Sequence, residues 1–499
     1  MDTTSLWRAT APTAPGFAML QADVETDVLV VGGGITGVTL AFLLAQAGRS
    51  VVLLEAGEIG SGTTGNSTGN LYVTVSGGLS TILDKWGEDV ARQVVQERRS
   101  AMALIEANAG SDSALRTCPL VQYAFSDSMR GDIEKEQKAL QRLGLDLRLT
   151  SEAPSPLPPA RGNVLVLEGQ AQFQPQAYLT QLARKAAQAG ARLHEHSRVL
   201  DLDFKSRTAV TATGAVKAAE IMLATHSPKG LHPVHTEMPV HREYVLARPI
   251  AAADPGPGIF WCQGDDSLSV RTLERGGERF LVVAGDEHVT GSHNAKASLM
   301  ALEMLAEKHL GPGEWTHRWS AQNYRGADGL PYIGRDLRGA FVATGFSTDG
   351  LTWGTVAAQV IAAQLAGEEP AFGELCKPGR VSLLKGAGSF VEATAATVTA
   401  LVKDYLTHRQ EEQLSSLAPG DSAIVEVEGD SFAAWRAPDG ELFAVSPVCT
   451  HMGCKVHWNS VETSWDCPYH GSRFSPEGTV VEGPAIAPLK RHHIALRQG

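Results

Sequence analysis

Between residues 27 and 56 the chain reads DVLVVGGGITGVTLAFLLAQAGRSVVLLEA. The apolar run at 28–31 suits a buried parallel strand, 38–47 an apolar helix stopped by Gly48, and 51–54 a second strand. Strand, glycine turn and helix recur far downstream: FVATGFSTDGLTWG at 341–354 runs into the apolar TVAAQVIAAQLAG. Alanine and alternating charge predict a helical linker over 376–415. From about 416 to 499, short alternating runs between Pro-Gly, Gly-Asp, Asp-Gly and Glu-Gly turns predict an all-β module.

The first turn holds Gly32-x-Gly34-x-x-Gly37, and Glu55 closes the second strand 18 residues after Gly37. Gly32 permits the tight turn, Gly34 lets backbone approach a pyrophosphate, and Gly37 lets the helix pack on the strand. The helix start at Ile35 and Thr36 faces the phosphates, and Glu55, followed by Ala56, can accept hydrogen bonds from a ribose. Residues 57–70, GEIGSGTTGNSTGN, offer backbone and hydroxyl donors with little bulk. Gly62, Thr63, Thr64, Asn66 and Ser67 suit a second stretch of an extended cofactor; a surface loop is the alternative. DGLPYIG at 328–334, with Gly345, Gly350, Leu351 and Thr352, brings backbone N–H groups and a helix dipole towards something electron-rich, such as a flavin ring.

A chain of 499 residues, 43% apolar and 20% charged, predicts two to four globular domains. The net charge of −12 argues against a nucleic-acid partner. No apolar run reaches the ~18–20 residues of a membrane helix, and the first twenty residues lack a basic start followed by an apolar block. These features predict a cytoplasmic protein without a transmembrane segment. Six cysteines, three of them scattered, do not read as a disulfide framework.

The other three fall in the tail. Cys449-x-His451 and Cys467-x-x-His470 each offer one thiolate and one imidazole, with Gly453 and Gly471 to turn the loops and Gly483-Pro484 as a third, covering loop. Zinc takes the same ligands, but usually from CxxC and HxxxH pairs. Mixed pairs suit a [2Fe–2S] cluster with both cysteines on one iron and both histidines on the other.

With these motifs in view, the first ~375 residues resemble the D-amino-acid oxidase-like family of FAD-dependent oxidoreductases. The matching parts are GGGITG, Glu55, GSGTTGNSTG, FQPQAYLTQLARKAAQAGARL (173–193), IMLATHSP (221–228), DGLPYIG and ATGFSTDGLT. The resemblance implies an α/β Rossmann-like FAD-binding domain (1–75, 151–230 and 316–375) interleaved with an α+β substrate domain (76–150 and 231–315). It also implies Val199 near the adenine, Thr225 at the cofactor, and non-covalent FAD, since no histidine falls within 57–70. The tail, 416–499, resembles all-β Rieske domains, and the whole chain resembles fusions of the two. Respiratory Rieske proteins place a disulfide-bonded cysteine where Tyr469 stands, so Cys454 is expected to be a free thiol. Ser472 matches a serine that donates to a cluster sulfide, whereas Phe474 replaces a second donor; this implies an intermediate potential.

The histidines at 232, 235 and 241, and Asp286, His288 and His293, lack the spacing of a mononuclear iron site and read as loop or strand-end residues. In HREYVLARP (241–249), alternation sets His241, Glu243 and Val245 on one face and Arg242 and Tyr244 on the other. Arg242 is a candidate for a substrate carboxylate and Tyr244 for the ring border; Asn323, Tyr324 and Arg325 are similar candidates. The expected activity is oxidation of a C–N bond in an amine, N-alkyl amine or amino acid by hydride transfer to FAD. Electrons then pass singly to the cluster and to an external acceptor (ferredoxin, cytochrome, quinone or O2). The alternatives are an oxidase with a structural or regulatory cluster, reverse electron flow into the flavin, and a redox relay or sensor without turnover. Oligomeric state is open.

Overall fold

The computed structural model describes all residues except 14, 251–255, 276, 293, 381–413, 415–416, 428 and 493–499. The predicted linker helix thus falls almost wholly outside the described residues.

The first strand, Val24–Val31, is central to a sheet ordered Tyr332–Arg335, Phe341–Thr344, Ala215–Leu223, Val24–Val31, Val51–Leu54, Arg192–His194. It pairs in parallel on both edges, Val28 opposite Val51 and Leu29 opposite Ile221. Helices cover the sheet, so its last four residues are buried, which is why they read as an unbroken apolar run. Helix Ile35–Gln46 is buried nearly all round and packs against helices Pro175–Gln188 and Gly350–Leu365.

A second, larger sheet runs His317–Tyr324, Val240–Ile250, Glu278–Val289, Leu268–Arg275, Ile259–Gln263, Arg116–Ala124, Val164–Gln172, Asn70–Leu71. Three segments assigned by sequence to the FAD-binding domain, Asn70–Leu71, Val164–Gln172 and His317–Tyr324, belong to this sheet. Val164–Gln172 pairs with Arg116–Ala124, and His317–Tyr324 pairs with Val240–Ile250. All three lie next to cofactor motifs along the chain, and proximity in sequence concealed the crossing between sheets.

The tail forms two small antiparallel sheets, Ser422–Val427/Asp430–Arg436/Leu442–Val445 and His457–Asn459/Ser464–Asp466/Arg473–Phe474/Val480–Glu482. Among the described residues no helix is long and apolar enough to cross a membrane.

Gly37 holds the first helix against its turn: a Cβ there would run into the carbonyl oxygen of Gly32. Gly37→Val is expected to cost about 1–3 kcal/mol and to lower both the melting temperature and the retained flavin. Gly131→Ala, where a Cβ meets open space, should leave both unchanged.

Candidate active site and metal centre

One continuous cavity runs from the first glycine turn to the second sheet and ends against the tail. Its wall includes Gly32, Gly34, Ile35, Thr36, Glu55, Ala56, Gly62, Thr63, Thr64, Asn66, Ser67, Val199, Thr225, Gly350 and Leu351. Gly37, Gly345 and Thr352 are placed behind it: Gly37 under Gly32, Gly345 (φ 75°) against Tyr332, and Thr352 buried in its helix.

The residues fit an elongated dinucleotide. Gly32 has φ 111°, and a Cβ on it would strike the Ala224 carbonyl, so the turn and the close strand approach both require glycine. The N-termini of helices Ile35–Gln46 and Gly350–Leu365 open onto the same cavity, a favourable setting for phosphate and for an electron-rich ring. Thr64 Oγ1 accepts from the Ile35 N–H (3.0 Å), tying the glycine-rich loop to the first helix. Glu55 differs from expectation. Its two carboxylate oxygens already accept the N–H groups of Gly33 (2.6 Å) and Gly57 (2.8 Å), so it braces the turn while also lining the cavity.

Strands Val240–Ile250 and His317–Tyr324 form a partition with two occupied faces. Their register sets Glu243 opposite Ala321 and His241 opposite Asn323; on the reverse face Arg242 lies opposite Gln322 and Tyr244 opposite Ser320. Glu243, Val245, Ala321 and Asn323 line the cavity. Arg242 borders it, but the guanidinium is committed to the tail. Nε and Nη2 donate to Glu462 (2.7 and 2.6 Å), and Nη2 also donates to Ser320 (2.7 Å). Nη1 makes no hydrogen bond among the described residues and stands 3.8 Å from Glu482, so the guanidinium's hydrogen bonds all go to the tail and to Ser320. Tyr244 faces the tail side and stacks on His288, so it does not border the ring site. Tyr324 also faces the tail: its hydroxyl donates to the His470 carbonyl (3.1 Å) and accepts from Gln322 (3.0 Å). Arg325 is ion-paired with Glu287. Of the five candidates, Asn323 keeps an atom turned to the cavity.

In the tail, Cys449 and Cys467 are buried side by side and joined by a hydrogen bond between their sulfurs. The Cys467 thiol donates to Cys449, which holds Cys449 down to about 7 and pushes Cys467 up. The rings of His451 and His470 stand 5.0 Å apart. Burial lowers both imidazoles, His470 to about 4, so both are neutral and able to ligate at pH 7. Among the described residues no three such side chains close around a single ion position; the donors stand as a thiol pair and an imidazole pair. Ser472 Oγ reaches the Cys449 sulfur and accepts from the Ala485 N–H (3.1 Å). No disulfide forms among the described cysteines, Cys454 included.

The imidazole pair is turned inward. His235, read from sequence as a loop residue, packs 5.0 Å from the His451 ring and 5.8 Å from the His470 ring, with its Nε2 3.0 Å from Ser227 Oγ. The covering loop is bound to the same region through the Gly230 N–H to the Pro484 carbonyl (2.9 Å) and through Lys229 to the Gly483 carbonyl. A line of contacts crosses the partition: His470 to Tyr324, Tyr324 edge-on to His226 (4.8 Å), and His226 to Thr63 (3.2 Å) on the cavity wall. His226, Lys229, Glu462 and Glu482 were not singled out by sequence, and His235 was read there as a loop or strand-end residue. They meet across 160 residues or more, or through loop conformation such as the positive φ of His226, and no local pattern marks them.

A flavin-sized dinucleotide cavity abutting a paired cysteine and histidine centre defines the class: a flavoprotein joined to an iron–sulfur module. Residues 27–364 match the model of the FAD dependent oxidoreductase family, DAO, and residues 409–493 that of the Rieske [2Fe-2S] domain. The chain belongs to the DAO family of FAD-dependent oxidoreductases and carries a C-terminal Rieske domain. It is 32% identical over 500 residues to YhfW of Bacillus subtilis (strain 168), described as a Rieske 2Fe-2S iron-sulfur protein, covering 97% of this chain and 96% of that one. Glycine oxidase of Geobacillus kaustophilus is 25% identical over 371 residues, covering 69% of this chain and 94% of its own. The crystal structure of that enzyme superposes with a TM-score of 0.59 at 22% identity, over 72% of this chain and 99% of that one. That of L-proline dehydrogenase from P. horikoshii does so with a TM-score of 0.59 at 17% identity, over 72% and 98%. These structural likenesses concern the fold.

Two outcomes follow from the interface and the sulfur environment. Glu462 is buried, which alone would raise it, yet Arg242 and Arg473 hold it down to about 2; His226, Arg473 and Arg242 likewise hold Glu482 well below the usual range against its burial. Because both carboxyls are depressed in the folded state, their stabilisation is complete above the ordinary value of 4.5 and is lost as pH falls towards about 2. Protease sensitivity of the module boundary should rise in that window. At neutral pH Arg242→Ala, which leaves Glu462 underpaired, should destabilise by about 3–5 kcal/mol in thermal denaturation. Separately, Ser472→Ala removes a donor to a cluster cysteine and should lower the cluster potential, on the order of 60 mV for a tenfold change in the redox equilibrium. Redox titration followed by EPR reads this directly.

Proposed function

We propose that the chain is a dehydrogenase that oxidises the C–N bond of an amine, N-alkyl amine or amino acid and passes the electrons inward to its own Rieske cluster. Bound FAD supplies the hydride acceptor, and the cluster, held by Cys449, His451, Cys467 and His470, supplies a one-electron site. The substrate domain, 76–150 and 231–315 with the three strands that join it, positions the amine over the FAD-binding domain. The cofactor is held without a covalent bond by the glycine turn, the 57–70 loop and the start of helix Gly350–Leu365.

The carrying observation is the inward docking of the imidazole pair. His235 packs on both His451 and His470, and Tyr324 spans from the His470 carbonyl to His226 on the cavity wall. A cluster serving only as structure would have no need to turn its ligand face towards the flavin cavity. The relative named for glycine oxidation supports a C–N substrate. An external acceptor, a ferredoxin, cytochrome or quinone, completes the cycle, since the cluster stores one electron and the substrate yields two. Cysteines without a disulfide suit a cytoplasmic location.

Anaerobic addition of amines and amino acids should bleach the flavin and raise the reduced-cluster EPR signal together, the cluster following the flavin. Tyr324→Phe should slow the second change and leave the first unaltered. Bleaching with a silent cluster and stoichiometric peroxide in air would establish the oxidase instead; no bleaching with any C–N compound would overturn the reading altogether.

A further inference from the structure

The substrate end of the cavity is built by the partition strands: Glu243 and Asn323 face it from one side of the ribbon, and Arg242, Ser320 and Gln322, turned to the tail, border it. Glu243 projects from strand Val240–Ile250 onto the cavity face and has no side-chain hydrogen-bond partner among the described residues. Asn323 lies diagonally across from it on His317–Tyr324, on the same face. Asn323 is 4% exposed; its Nδ2 donates to Glu287 (3.1 Å), and its Oδ1 is buried with no partner. That orientation is dictated by chemistry, because an ionised carboxylate can only accept and so must face the amide nitrogen. The amide oxygen is then left without a partner, on a residue that lines the cavity.

Glu287 reaches this corner through a bulge. The pairing of Val240–Ile250 with Glu278–Val289 slips between Arg242 and Tyr244, where Asp286 takes a positive φ of 52°. Three acceptor groups therefore gather at one end: two carboxylates and an amide oxygen. The balancing cations are elsewhere or already engaged. Arg325 is paired with Glu287, Arg242 with Glu462 and Glu482, and Lys229 with the Gly483 carbonyl; Arg198 and Glu55 both adjoin Lys229 towards the dinucleotide end. Glu243 is left without a counter-charge of its own. Burial, then the neighbouring Glu287, raises its carboxyl to about 8, with Arg325 opposing. A bound cation would reverse that destabilisation of the charged form.

We infer that this corner is a binding site for an alkylammonium group, with Glu243 and Asn323 Oδ1 accepting its N–H bonds. It makes the substrate class cationic amines without a nearby carboxylate, in preference to zwitterionic α-amino acids, whose carboxylate would meet Glu243 with no free cation. The inference rests on the C–N-oxidising reading for its link to turnover, but the site itself is defined by its ligand.

The test uses the FAD-loaded full chain and two isosteres: tert-butylammonium, which has no α-hydrogen to lose, and pivalate, its carboxylate counterpart. Flavin absorbance titration at pH 7 should show saturable perturbation by the ammonium ion and none by pivalate. Glu243→Gln should weaken ammonium binding by tenfold or more, with flavin content unchanged. Perturbation by pivalate and not by tert-butylammonium would overturn the assignment, and it needs no variant to do so. Equal ammonium affinity in a folded, flavin-loaded Glu243→Gln protein would also overturn it. Turnover separates the two claims. Oxidation of α-amino acids alone would sink the assignment and spare the dehydrogenase reading. Ammonium binding without oxidation of any amine would spare the site and sink that reading.

Discussion

The structure depends on a buried ion cluster where the Rieske module meets the second sheet. Arg242 from the partition strand, and Arg473, Glu462, Glu482 and Asp466 from the tail, lie within ion-pair distance of one another at 2.6–3.8 Å. Taking such groups out of water costs several kcal/mol per ion, and their mutual attraction repays it only when geometry and hydrogen bonding are good. Here the geometry is good: Arg242 grips Glu462 with two parallel bonds, and Asn459 and Ser464 satisfy Asp466. The net gain in stability is modest by this reasoning. The gain in specificity is larger, because a module docked in any other rotation would bury these charges unpaired.

That fixed docking gives the partition its two roles. On one face its residues bound the flavin cavity; on the other they hold the loops that carry the cluster ligands, through Tyr324 to the His470 carbonyl and Gln322 to the Gly471 carbonyl (3.0 Å). Gly471 itself leaves no room: a Cβ there would stand 2.6 Å from Val240 and 2.7 Å from Gln322. In the proposed function, substrate site and electron outlet are opposite sides of one two-stranded ribbon, and the spacing between them is set by a sheet's thickness.

Much of this was legible in the sequence wherever the chemistry is local. The strand, glycine turn and helix around Gly32 and Gly37, and the two Cys-His loops, each lie within a few dozen residues and carry their own geometry. Alternation also separated Glu243 from Arg242 and Tyr244 correctly. It could not say which set meets the flavin, because both faces of the strand are covered and neither looks solvent-exposed. Arg242 was therefore read as a substrate anchor when its partner, Glu462, lies 220 residues away. His235 was read as a loop or strand-end residue for the same reason: nothing near it in the chain announces that two other histidines will pack on it. Glu55 was half legible, since the acid was recognised but its bonds to Gly33 and Gly57 belong to the folded turn.

The most direct test of an internal relay is the concentration dependence of cluster reduction. Under anaerobic conditions the flavin would be reduced rapidly by excess substrate, and the cluster signal followed by freeze-quench EPR across a hundredfold range of protein concentration. Docking within one chain predicts a first-order rate that does not change with concentration. A rate that rises in proportion to protein concentration would mean that electrons travel between molecules, and would contradict the docking on which the mechanism rests.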